Sequence, residues 1–317
     1  MPQPRRKGAD NGPSFISEAK AVEALLLFIA IYVVAAVVTA YVSSVYFGSQ
    51  FSISGISASL KDILVQMLVG PLSSVATPIK YVPIVVSLLA FGAIYGKKAL
   101  DLYLGAAVYL LFYIVLAVLF TSIVAAAYNG RATGSNYTFL LDFASLVPLS
   151  IAAVMYLSFY KKAKTGILAR VLGLSAKRFW GNVAIGLLVF VIILLFELLV
   201  GMIGVATGTQ INTNANVVFA GAPVWFLLFA ALIEPINEEI MFRGFLAPRI
   251  GIIPSALIFG IAHYSYMSTF GIEIIGAFIF GMIAGYVFRR TKSIYPGMVA
   301  HILVNTVAVI GLMAAAS

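Results

Sequence analysis

The chain has 317 residues, of which 62% are hydrophobic and only 10% charged, and its mean hydropathy is +1.07. Soluble globular domains are about 25% charged, so a water-solvated enzyme is excluded and lipid is the expected solvent. The net charge of +9 does not indicate nucleic acid, because the cations sit in short clusters between apolar runs, such as Arg5-Arg6-Lys7, Lys97-Lys98, Lys161-Lys162 and Arg289-Arg290, a pattern that reports membrane topology. With no cysteine, disulfides, thiolate catalysis and cysteine-based zinc sites are also excluded.

In chain order, residues 1–20 read as a basic cytoplasmic tail, 21–217 as membrane helices with interfacial segments, and 218–317 as a catalytic helical core. No signal-peptide pattern follows the tail, and the first apolar run is long enough to span and is expected to stay. A spanning helix needs about 20 mostly apolar residues. Nine candidates lie near 22–46, 80–96, 102–128, 138–160, 180–206, 219–247, 252–270, 272–288 and 295–315. The expected fold is therefore all-α, a polytopic bundle of about eight or nine membrane helices, since backbone in lipid must satisfy its own hydrogen bonds. The basic clusters put the N-terminus in the cytoplasm.

Two segments break the pattern. Residues 51–79 mix polar residues and prolines with Leu60, Ile63, Leu64 and Met67 at amphipathic spacing, and read as an interfacial helix. Residues 161–179 read as a cytoplasmic amphipathic connector, with Ile167, Leu168, Val171 and Leu172 on one face against anionic lipid.

Ionisable groups inside a membrane are functional candidates by default. Glu23, Asp101 and Asp142 stand near helix edges and read as interfacial anchors, while Glu197 lies well inside its helix and reads as a structural, hydrogen-bonded acid. After residue 230 the density rises. Glu234, Glu238, Glu239 and Arg243 share one stretch, the chain's two histidines, His263 and His301, lie on later helices, and Asn305 follows His301 by four. Residues four apart share a helix face, so Arg243 neutralises Glu239. Glu238 points about 100° away and is left for chemistry. Pro235 removes a backbone bond one turn before the acid pair and is expected to kink the helix. A carboxylate base, two imidazoles and a carboxamide are equipment for activating water against an amide carbonyl. Two histidines and a glutamate also make a plausible zinc set, Glu238, His263 and His301. No His-Glu-x-x-His string is present, and the preferred reading needs no cofactor. Gly281 and Gly285 form a small-x-x-x-small pair for close helix packing. Tyr266, Glu273 and Tyr295 are candidates for a substrate portal.

These residues form three motifs: Glu238-Glu239-x-x-x-Arg243, Phe259-x-x-x-His263 and His301-x-x-x-Asn305. Together they resemble the CPBP family of intramembrane proteases, which includes the Rce1-like type II CAAX prenyl endopeptidases and the bacteriocin-processing and self-immunity proteins. The resemblance implies a conical catalytic core opening toward the cytoplasm. It implies that Glu238 and His263 activate water and that His301 and Asn305 stabilise the oxyanion; Glu239 and Arg243 by their ion pair, and Phe259 by packing against the site, read as their supports. It also implies cleavage of a peptide bond near the C-terminus of a membrane-associated peptide or protein, prenylated or not. The alternative is a non-proteolytic scaffold or immunity protein that keeps the fold. A proton-coupled transporter is disfavoured by the lack of two matching halves with interrupted helices.

Overall fold

The computed structural model describes residues 15–47, 82–127, 135–207, 219, 221–263 and 272–316, and all of their regular structure is helical. The helices are α1 (Glu18–Phe47), α2 (Val82–Tyr95), α3 (Lys97–Ala127), α4 (Ser135–Leu146), α5 (Pro148–Met155, continued by a π turn at Tyr156–Tyr160), α6 (Thr165–Val171) and α7 (Phe179–Thr207). Then come α8 (Val224–Leu228), a π segment (Phe229–Ile233), α9 (Glu234–Glu238), a second π segment (Glu239–Leu246) and α10 (Ala247–Ile250). The chain ends with α11 (Ile252–Ala262), α12 (Ile272–Thr291) and α13 (Tyr295–Ala316).

Each of the nine apolar stretches contains helix. Among the described residues, six helical spans are long and apolar enough to cross a membrane. The stretches expected at 80–96 and 252–270 yield shorter apolar helices, Ile84–Tyr95 and Ile252–Ala262. At 1.5 Å per residue, the 11 residues of α11 fall well short of a hydrocarbon core of about 30 Å. The expected interfacial helix at 51–79 lies outside the described residues, as do Tyr266 and the side chain of Glu273. Rows of bare aliphatic side chains, among them Leu111, Val115, Val118 and Leu119 on α3 and Leu188, Leu195 and Leu199 on α7, stand exposed. Water would penalise that surface, whereas lipid does not.

Apolar surface gives helices no drive to associate inside lipid, so close backbone approach must do it. Gly281 and Gly285 place α12 directly against Ala256 and Ile252 of α11, as the small-residue spacing requires. Gly260 makes the same approach in reverse, since a Cβ there would stand 2.8 Å from the carbonyl oxygen of Ile274. Gly186 seats α7 against α13, where a Cβ would stand 2.8 Å from the carbonyl oxygen of Pro296. The core between these helices holds Leu172, Phe242, Phe245, Phe259, Phe280 and Ala300.

The connector behaves differently from the expectation. Leu172 is fully buried and Leu168 and Val171 pack on the same core, while only Ile167 is exposed. The apolar face of α6 is therefore spent on the protein rather than on lipid. Gly244 allows this, because its missing side chain leaves room for the Leu172 carbonyl oxygen. Glu197 also departs from its expected role. Its carboxylate makes no hydrogen bond or ion pair among the described residues, and the residue is exposed beside Leu198, Gly201 and Met202.

Glu18 links the start of the chain to the C-terminal helices. Its carboxylate accepts hydrogen bonds from the backbone N–H of Ile252, at 2.9 and 3.0 Å, and from Ile253 at 3.4 Å. The first N–H groups of any helix lack intrahelical partners, and Gly251, at φ 99°, cannot supply a side-chain cap for α11. Arg289 of α12 stands 3.6 Å from the same carboxylate. Replacing Glu18 with Ala removes this remote cap and is expected to cost about 0.5–2 kcal/mol, the usual scale of a lost cap. The check is thermal unfolding in detergent, with the exposed Glu23→Ala as the control that leaves the transition in place.

Candidate active site

The acidic stretch runs in an alternating register. The backbone N–H of Glu234 donates to the Phe229 oxygen, and that of Ala247 donates to the Phe242 oxygen. These are i→i+5 bonds, the mark of π-helix, which occurs mostly as short insertions at functional positions. Continuing the first register would bond Pro235 N to the Ala230 oxygen, and proline has no N–H to give. Asn305 fills the vacancy: its Nδ2 donates to the Ala230 oxygen at 2.9 Å. The kink expected at Pro235 is thus a π turn with a side-chain prop supplied by α13.

Asn237 does the same for a neighbouring helix. Its Nδ2 donates to the Leu146 oxygen at 2.7 Å, and its Oδ1 accepts from the Ser150 N–H at 3.0 Å. The carboxamide stands between two backbone groups that an unbroken α-helix would join to each other, at the break before Pro148. Two carboxamides therefore lock α9 between α4–α5 on one side and α13 on the other.

Arg243 and Glu239 are buried almost completely, at 2% and 0% exposure, with Nη1 3.0 Å from Oε1. The pairing expected from their spacing is present. The guanidinium carbon lies 4.1 Å from the Phe259 ring centroid and 5.0 Å from that of Phe280, so two aromatic faces supply further attraction for the cation. Phe259 also packs against Phe242, His263 and His301. Its place in the second motif is explained by what it covers. Gly297 of α13 leaves the space that Glu239 occupies, because a Cβ there would overlap Oε2.

His301 reaches both acids, its Nε2 3.5 Å from Glu238 Oε2 and its Nδ1 3.4 Å from Glu239 Oε1. His263 ends α11, and its Nδ1 is 2.8 Å from the Phe259 oxygen. A carbonyl oxygen only accepts, so Nδ1 carries the proton and, in the neutral ring, Nε2 carries the lone pair. One ligand atom from each of Glu238, His263 and His301 falls within 4.8 Å of the others.

Three distant stretches of sequence are thereby brought to one point. The sequence paired His301 with Asn305 on a shared face, whereas the ring of His301 bridges the two glutamates and the carboxamide of Asn305 holds Ala230. One of the two Asn305 N–H groups is committed to that bond. The donor set also fits a zinc ion. Ligating histidines commonly donate their other N–H to a carbonyl or a carboxylate, and here the Phe259 oxygen and Glu239 stand in those positions.

Comparison with known proteins bears on the same region. Residues 220–307 match the family described as type II CAAX prenyl endopeptidase Rce1-like. Over these residues the chain is similar to an Rce1-like domain. The uncharacterized protein YpbD of Bacillus subtilis (strain 168) is 28% identical over 90 residues, which cover 28% of this chain and 47% of that protein. The similarity thus spans about half of that relative's length. No solved structure matches the chain. The match is thus to a family described as endopeptidase, over residues 220–307 of a chain with six helical spans long and apolar enough to cross a membrane among its described residues.

Within the Rce1-like domain, sequence reasoning missed Phe280, Gly297 and Asn237. Phe280 is the second aromatic face on Arg243, and its ring also lies 4.8 Å from that of His301. One signal was available for Gly297: it lies one turn before His301 on the same helix face. Nothing in the sequence links Asn237 to Leu146. Removing Arg243 leaves Glu239 as an uncompensated buried charge, so Arg243→Ala is expected to destabilise the protein by about 3–5 kcal/mol. Chemical unfolding in detergent measures the loss, and an unchanged transition would refute the ion pair.

Proposed function

We propose that the protein is an intramembrane endopeptidase that hydrolyses a peptide bond near the C-terminus of a membrane-associated peptide or protein. The observation that carries this reading is the convergence of Glu238, His263 and His301 to within 4.8 Å inside a buried site of the Rce1-like domain. In this reading Glu238 takes a proton from a water molecule whose oxygen attacks the substrate carbonyl carbon. The lone pair on His263 Nε2 accepts the second water hydrogen and aims the oxygen. In this scheme His301 is an imidazolium, its Nδ1–H held by Glu239, and its Nε2–H donates with an N–H of Asn305 to the carbonyl oxygen as it becomes an oxyanion. When the C–N bond breaks, the departing amine takes the proton held by Glu238. Glu239, fixed by Arg243, anchors His301 from its Nδ1 side.

The reaction as proposed runs on water alone. A zinc ion held by Glu238, His263 and His301 would instead act as a Lewis acid on the carbonyl. We also propose that the site opens on the side of the basic clusters Lys161–Arg178 and Arg289–Lys292, the cytoplasmic side by the positive-inside rule. The CAAX motif, prenylated or not, is the substrate type to test first, because the matched family is described by it.

Incubating C-terminal peptide libraries, prenylated and unprenylated, with the purified protein and reading the products by mass spectrometry tests the reading. Glu238→Ala is expected to reduce cleavage by about 10²–10⁴-fold, the contribution of a positioned base, with the fold retained. Undiminished turnover in that variant would sink the mechanism. Activity is expected to survive EDTA; its loss on chelation and return with zinc would replace the metal-free reading with a zinc one.

A further inference from the structure

Glu234 is the buried acid that the catalytic scheme does not use. It lies one turn before Glu238 on α9, is 7% exposed, and its carboxylate makes no hydrogen bond or ion pair among the described residues. A carboxylate at such depth is costly unless it is paired or protonated, so a cation carried in by a ligand would be held strongly there. The carboxylate oxygens are not sealed. The site's fully enclosed, unbonded polar atoms belong to Glu239, Arg243 and His301, which leaves the Glu234 and Glu238 carboxylates open to the same face of one short helix. Asp142 of α4 is a second acid whose charge acts on Glu234. It arrives there because Phe143 packs edge-on against Phe229 and Asn237 holds Leu146.

Among the described residues, no ion pair joins a cation to Glu234 or Asp142. Arg243 is taken by Glu239, and Arg249 by the Phe245 oxygen and ring. Arg289 faces Glu18, Arg290 lies over Tyr286, and Lys292 lies over Phe15. Two acids from two helices thus act on one another, and the buried one, Glu234, stands one turn from Glu238 with no ion pair among the described residues.

We propose that Glu234, with Asp142 beside it, binds the ammonium or guanidinium group of a basic substrate residue. The proposal rests on the endopeptidase reading and adds a specificity to it. One helical turn is about 5.4 Å, and an extended peptide advances about 3.3–3.6 Å per residue. The basic residue therefore lies within one or two positions of the bond presented to Glu238. The carboxylate selects a lysine or arginine there over a neutral side chain of equal length, and rejects an acidic one.

The test uses the full chain in detergent and a peptide set in which a single lysine, or norleucine as its uncharged counterpart, is moved through every position. Binding is measured by calorimetry and cleavage by mass spectrometry. At one position lysine is expected to bind roughly ten-fold or more tightly than norleucine, the scale of one charge-assisted hydrogen bond. The isosteric Glu234→Gln should bring that ratio close to one. Should that variant fail to fold, the exposed Asp142→Asn should lower the ratio instead. Equal binding of the two peptides at every position, or a lysine preference that survives both variants, overturns the proposal. A lysine preference in binding without any cleavage would keep this site and discard the endopeptidase reading. Cleavage with no preference would do the reverse.

Discussion

A charge inside lipid has no water to turn to, and the Glu239–Arg243 pair is where this protein meets that constraint. The two side chains are enclosed, and each neighbour answers a need of the pair. Phe259 and Phe280 offer ring faces to the guanidinium. His301 brings Nδ1 to the carboxylate. Gly297 makes room for an oxygen that any larger residue would displace. Helices α11, α12 and α13 are thereby fixed against the acidic stretch by one ion pair, and the histidines that face Glu238 ride on two of those helices.

The second constraint is backbone polarity. The acidic stretch departs from α-helix twice, and every departure strands carbonyl or N–H groups that lipid cannot satisfy. Asn305 meets one such carbonyl and Asn237 bridges a break in the neighbouring helix. A polar side chain near a membrane site can be structural and functional together. Asn305 holds the π turn with one N–H, and in the proposed reaction its second N–H faces the substrate. Glu18 extends the same logic to the start of the chain, where a side chain 234 positions away caps the helix that ends in His263.

Packing follows from what these polar links allow. Glycines at 186, 244, 260, 281 and 285 bring backbones close enough for dispersion to hold helices together where no hydrophobic drive exists, and each faces a particular backbone or side chain of the opposing element. The connector α6 buries Leu172 beside Gly244 for the same reason. Lipid is an indifferent solvent for leucine, whereas a shaped protein groove adds close contact.

The sequence by itself determined the solvent, the helical class, the positions of the nine apolar stretches and the three polar motifs. Length, apolarity and spacing are local properties, and the bilayer thickness converts them directly into elements. The Glu239–Arg243 pair was legible because residues four apart meet on any helix, and it survives the change to π register. Tertiary structure alone decided the rest. It placed the His301 ring between both glutamates, turned Asn305 toward Ala230, and put Phe280 over Arg243. It also brought Asp142 toward Glu234 and left Glu197 on the outer surface. These outcomes depend on which helices touch and at what rotation, and on where a proline leaves a carbonyl unbonded. Such facts are shared between distant segments, so no single stretch of sequence contains them.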